Sequence, residues 1–162
     1  MLTWQFQRFN DLHITDWYQA SAARIAVFVL EQNCPFQDLD GADEKSWHLL
    51  GWDSVAGEKR LAAYCRVVDA GVKFSLPSIG RVITTVHYRR GGVGKQLMAE
   101  ACLRHDAIYP NLANRIGAQA RLEKFYEAFG FVIDSAPYME DGIVHVEMQR
   151  AARIVVPAKA GI

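Results

Sequence analysis

Apolar and polar residues alternate along Trp4-Gln-Phe-Gln-Arg-Phe9, which predicts a first strand. A helical spacing follows through Trp17, Ala20, Arg24 and Phe28, with Thr15 as its expected cap. Residues 33–45 are polar, hold Pro35 and Gly41, and predict a loop. Apolar runs at 47–52 and 61–68 flank the turn-rich stretch 53–59 and predict a hairpin, closed off by Asp69-Ala-Gly71. After the Pro77-Ser78 turn comes a β-branched run, 79–86, and then a helix over 95–104 that gives out at Tyr109-Pro110. A strand at 116–120, a helix over 121–130 ended by glycine, and closing strands at 132–133 and 143–148 complete the chain. Leu122, Phe125, Tyr126 and Phe129 form the stripe by which the last helix packs on the sheet. The order β, α, β, β, β, α, β, α, β, β predicts a mixed α/β fold, mostly antiparallel with one parallel step at its centre.

With 51% of its 162 residues apolar, the chain can bury the core of one compact domain. Its formal net charge is zero, so no basic field draws in nucleic acid or an anionic membrane, and neither is expected as a partner. The apolar run at 25–30 is too short to span a bilayer, and Met1-Leu-Thr-Trp-Gln-Phe6 lacks the charged and hydrophobic regions of a signal peptide, so a cytoplasmic protein is expected. Cys34, Cys65 and Cys102 are odd in number and widely spaced; reduced thiols and no metal site are expected.

The candidate chemistry lies where the run 79–86 meets the turn Arg89-Arg-Gly-Gly-Val-Gly94 and the helix beginning at Lys95. Amides at such a helix start lack chain partners, and the helix dipole favours a phosphate there. A Walker A loop would need glycine where Arg89 stands and Ser or Thr where Gln96 stands. A dinucleotide fingerprint starting at Gly92 would need its third glycine at Leu97. What remains is Arg89-x-x-Gly92-x-Gly94, with Arg90 and Lys95 adding positive charge.

This pattern resembles the R/Q-x-x-G-x-G/A signature of the GCN5-related N-acetyltransferase (GNAT) superfamily. Phe125-Tyr126-x-x-x-Gly130-Phe131 resembles the segment of that superfamily in which a tyrosine stands near the coenzyme's sulfur. The block from Ala26 to Gly41, Trp47-His-Leu-Leu-Gly-Trp52, Gly117-Ala-Gln-Ala120 and the block from Tyr138 to Met148 look like its ElaA branch. The match spans residues 3–150 as one N-acetyltransferase domain, with 151–162 as a C-terminal tail. The Ile154-Val-Val156 run of that tail is expected to pack on its own sheet or on a second subunit, in a homodimer. The resemblance implies the acyl-CoA N-acyltransferase fold: a six- to seven-stranded, mostly antiparallel sheet with flanking helices and one central parallel pair that splays apart. It implies acetyl-CoA as acyl donor and a small-molecule or peptide amine as acceptor. The diphosphate would sit on Arg89, Arg90, Gly91, Gly92, Val93, Gly94 and Lys95. The pantetheine arm would lie along the backbone of Ile83, Thr84 and Thr85, and a strand N–H near Val82 or Ile83 would meet the oxyanion.

Direct transfer to an amine also needs a base and a proton donor. Tyr126 is the expected donor to the departing thiolate. Glu31, at the end of the first helix, and His145, in the last strand, are the expected bases. Their structural alternatives are a core aromatic, a surface ion pair and a half-buried strand histidine. His48 and Arg66 lie in strands that could face the cleft. Cys34 could be an acyl-carrying nucleophile, yet no histidine is near it in sequence to activate it. The reading from another class is an acetyl-CoA-binding sensor or interaction module without significant turnover.

Overall fold

The computed structural model describes residues 1–156 and 161. Strand β1 (Thr3–Arg8) leads through α1 (Ile14–Arg24) to β2 (Ser46–Val55), β3 (Glu58–Val68) and β4 (Ser78–Thr84). Helix α2 (Val93–Ile108), β5 (Asn114–Gln119), α3 (Glu123–Glu127), β6 (Phe131–Ile133), β7 (Tyr138–Glu140) and β8 (Ile143–Arg150) follow. The strands form two four-stranded sheets. One has the order β1-β2-β3-β4; in the other, β8 pairs with β5 on one edge and with β6 and β7 on the opposite edge. Every hydrogen-bonded pair is antiparallel.

Several boundaries differ from those expected. The first helix is capped by His13, whose Nδ1 accepts from the Thr15 amide, and not by Thr15. Beyond Arg24 it widens into a π-helical segment, Ile25–Glu31. The expected turn at 53–59 shrinks to Ala56-Gly57, both with positive φ, as a two-residue hairpin requires. The α-helical part of the expected helix 121–130 covers only Glu123–Glu127, preceded by a 3-10 turn at Ala120–Leu122. Strand β7 was not expected. It forms because Asp141-Gly142, again both with positive φ, folds Tyr138–Glu140 back onto Ile143–His145. The stretch ending at Pro137 separates β6 from β7, which run along the same edge of β8.

Alternation along the strands builds a core on each face of the first sheet. Leu49, Cys65 and Val67 face α2, which inserts Leu97, Met98, Ala101 and Cys102, and this core continues through Ile116, Phe131 and Met148 of the second sheet. Leu50, Tyr64 and Ile83 face the other way, against Ala20 of α1. Of the two placements expected for the tail, packing on its own sheet is not what the chain adopts: Ile154, Val155 and Val156 are exposed, and the Val155 amide is held by Asn111 Oδ1. Residues 157–160 and 162 of that tail lie outside the described residues. No helix among the described residues is long and apolar enough to cross a membrane.

Candidate active site

Strands β4 and β5 start together and then part. At their amino ends the Ile79 amide donates to Asn114 Oδ1 at 3.2 Å and the Arg115 amide to the Pro77 carbonyl at 3.1 Å. Joining amino end to amino end makes the two strands run the same way. The ladder goes no further, and the space between Ile79–Thr84 and Ile116–Gln119 opens into a cavity of about 490 Å³, ample for part of a small ligand. The π-helical segment and the loop after it supply Val27, Phe28, Glu31, Gln32, Cys34 and Phe36 to the wall; Tyr126 and His145 also line it.

The direction of each peptide group in β4 decides what it can offer. The Thr85 amide donates to Ala62 at 2.9 Å, and its hydroxyl donates to Leu61. Backbone groups alternate along an antiparallel ladder, so Thr85 and Ile83, opposite Tyr64, direct theirs at β3, whereas Thr84 and Val82 turn theirs to the cleft. This corrects the expected ligand-facing backbone: Val82 and Thr84 are available, and Ile83 and Thr85 are committed to the sheet. The ladder is irregular between Tyr64 and Arg66, and Arg81, opposite this shift, has φ 52°, an uncommon conformation for a non-glycine residue. Its guanidinium bonds Asp38 at 2.8 Å, with Cζ 5.8 Å from the Phe28 ring centroid and 5.4 Å from that of Phe36. Sequence reasoning missed Arg81 because a strand pattern carries no mark of such a bulge.

At the α2 end of the cleft the chain makes the expected turn. Arg90 and Gly92 both have positive φ, and Gly92 serves as the helix cap without any side chain bonding the first amides. The Gln96 amide reaches back to the Gly92 carbonyl, which leaves the amides before it directed outward. Gly91 borders open space, while a Cβ on Gly94 would meet Thr84 Cγ2 at 3.7 Å, an ordinary contact. Val93 and Gly94 are half-buried, whereas Arg90 and Lys95 are exposed. Of this turn, only Arg89 reaches the cavity wall. The turn supplies unpaired donors and positive charge, and the cleft supplies a backbone edge and a phenol. These suit a ligand with an anionic end and an amide-bearing arm, the chemistry of an acylated coenzyme A.

Tyr126 is buried, with 7% of its surface exposed, and its hydroxyl has no hydrogen-bond partner among the described residues. Burial pushes this phenol well above its ordinary range, so it stays protonated. Glu31 and His145 line the same cavity. His145 Nδ1 donates to the Ile143 carbonyl at 2.8 Å, which in the neutral ring leaves Nε2 as an acceptor. Glu31 is bound by Arg89, whose Nη2 lies 3.0 and 2.9 Å from the two carboxylate oxygens.

His48 and Arg66 do not reach the cleft, which corrects their candidacy. His48 Nε2 donates to the Asp43 carbonyl and Nδ1 accepts from the Tyr64 hydroxyl; burial pushes the imidazole down to about 4. Arg66 is clamped by Asp40 and Asp43. Cys34 does line the cavity, but its thiol donates to the Asp141 carbonyl at 3.3 Å, and no imidazole is bonded to it. The three cysteines are free and buried. Among the described residues no cluster of His, Cys, Asp and Glu could hold a metal ion.

The acetyltransferase (GNAT) domain family matches residues 51–152. Protein ElaA of Escherichia coli is 39% identical over 155 residues, covering 93% of this chain and 97% of that protein. Its crystal structure superposes with a TM-score of 0.84 at 38% identity, over 93% of this chain and 99% of that one. An acyl-CoA N-acyltransferase from Pseudomonas aeruginosa superposes with a TM-score of 0.86 at 35% identity, over 93% of this chain and all of that one (100%).

Proposed function

The chain belongs to the acetyltransferase (GNAT) domain family, and from that premise we propose that it transfers the acetyl group of acetyl-CoA to an amine acceptor by direct attack in a ternary complex. The observation that carries this reading is the unpartnered hydroxyl of Tyr126 in a cleft walled by the outward backbone of Val82 and Thr84. The turn from Arg89 to Lys95 would bind the diphosphate through its amides and cations and so place the thioester between the strands.

The residues divide the chemistry among them. A lysine-like amine with pKa about 10.4 is neutral in only about one molecule in two thousand at pH 7, a cost of roughly 4–5 kcal/mol that a base can reduce. Glu31, directly or through water, and His145 Nε2, which lies 3.6 Å from the Glu140 carboxylate, are the cavity-wall groups we assign to take that proton. As the amine nitrogen bonds the carbonyl carbon, the Val82 amide stabilises the oxyanion. The carbon–sulfur bond then breaks, Tyr126 gives its proton to the thiolate, and the proton that the base took from the amine restores the phenol.

The test is to incubate the protein with acetyl-CoA and a panel of amines, polyamines and peptides, following CoA release and acetylated products by mass spectrometry. Acceptor-dependent CoA release with a matching N-acetyl product is expected. Tight CoA binding without product from any acceptor would overturn transfer as the function.

A further inference from the structure

Arg89 touches two cleft groups at once. Its Nη2 holds both carboxylate oxygens of Glu31, and its Nε donates to the Thr84 carbonyl at 3.3 Å. Glu31 is 58 residues away in sequence, at the end of the π-helical segment, so this ion pair ties that segment to the turn after β4. Gln32 and Cys34 continue the tie across the cleft. Gln119 Nε2 donates to Gln32 Oε1 at 3.2 Å at the end of β5, and the Cys34 thiol donates to the Asp141 carbonyl in the β7–β8 turn. The segment from Glu31 to Cys34 thus straps the cleft from β4 to β8, and Arg89 holds one end.

We propose that the Glu31–Arg89 pair is a clasp that competes with the acyl donor: the donor's diphosphate draws Arg89 away, which releases both the Thr84 carbonyl for the pantetheine arm and the Glu31 carboxylate for the acceptor. This rests on the reading of the cleft as a coenzyme A site. The exchange favours the diphosphate. Both side chains are partly exposed, 37% for Arg89 and 42% for Glu31, so the ion pair resists displacement weakly, while a diphosphate offers the same guanidinium more charge and more acceptors. In the clasped state the base candidate is neutralised and one backbone acceptor of the cleft is covered. An empty site is thereby kept from binding a cationic acceptor at Glu31.

Calorimetry with coenzyme A tests this. Glu31→Gln breaks the clasp and should tighten coenzyme A binding about two- to fivefold. Removing any negative charge near a polyanion could tighten binding, so the same substitution is repeated in an Arg89→Gln background, where the gain should vanish. Unchanged or weaker binding by Glu31→Gln would overturn the clasp, as would an equal gain in the Arg89→Gln background. Absence of coenzyme A binding by the unsubstituted protein would instead remove the underlying reading, and the clasp with it.

Discussion

Arg24 Nη1 lies 2.7 Å from Asp43 Oδ1 in the interior, and the same oxygen accepts from Arg66 Nη1 at 2.9 Å. One carboxylate oxygen therefore bridges two buried guanidinium groups. Asp38 takes the other side of Arg24 and also holds Arg81, while Asp40 grips Arg66 through two parallel bonds. This network fixes the loop between α1 and β2 against the back of the first sheet, and so sets the position of the cleft wall that carries Phe36.

Asp43→Ala should cost about 3–5 kcal/mol of stability, because both arginines would stay buried with a charge removed from between them. Urea unfolding monitored by tryptophan fluorescence would measure it. A loss under about 1 kcal/mol would mean that Asp38 and Asp40 suffice.

His48 predicts a pH dependence of stability. Burial holds its folded pKa at about 4, below the 6.5 of an unfolded histidine, so the unfolded chain binds the extra proton as pH falls. The stabilising effect is complete above 6.5 and is lost as pH falls through 6.5 towards 4. Between pH 7 and 5 this amounts to about 2 kcal/mol. His105, also lowered mainly by burial, acts in the same direction. Asp40 and Asp43, held below the ordinary carboxylate range by their arginines, add a separate loss only at more acid pH. Unfolding free energies at pH 7 and 5 should show the slope, and His48→Gln should flatten it; an unaltered slope would assign the effect elsewhere.

The turn and the phenol were legible in the sequence because each is written locally. Glycines at 92 and 94 beside arginine specify a helix start, and Tyr126 falls on a stripe of spacing that places it towards the sheet. The mixed fold followed from the order of the runs. What was illegible depends on distant partners. Arg66 and His48 stayed open as residues that could face the cleft because nothing near them in sequence says that the loop holding Asp40 and Asp43 folds back over them. Glu31 was expected as a base from its place after the first helix, and it lies on the cavity wall, but its pairing with Arg89 joins segments 58 residues apart. The choice of Val82 and Thr84 over Ile83 and Thr85 depends on the ladder register, which alternation alone does not set.

Gly92 and Gly94 should respond differently to alanine. Gly92 has φ 79°, so Gly92→Ala should cost about 1–2 kcal/mol and weaken coenzyme A binding by distorting the turn. Gly94 has ordinary backbone and room for a Cβ beside Thr84 and Phe125, so Gly94→Ala should raise stability by about 0.5–1 kcal/mol and leave affinity within about twofold. Thermal melts and calorimetry on the pair would check both. Equal effects would show that the turn's conformation is not what binding requires.

Tyr126→Phe separates a proton donor from a core aromatic, and the structure makes the comparison clean. The ring packs at right angles, within 73–75°, against Phe125 and Phe131, and phenylalanine keeps those contacts. The hydroxyl has no partner among the described residues to leave stranded, so the melting temperature should hold or rise slightly. Burial raises the phenol's pKa, so it is present in the protonated form that a donor requires, at the cost of being a weaker acid. A thiolate with a parent pKa near 8.5 already leaves tolerably, so the loss in kcat should be roughly 10- to 100-fold, at or below the low end of general-acid effects. The affinity for coenzyme A should change less than twofold, because the pantetheine and diphosphate contacts we propose lie on β4 and the α2 turn. A fall in affinity equal to the fall in kcat would make Tyr126 a binding residue, and unaltered kinetics would return it to the core.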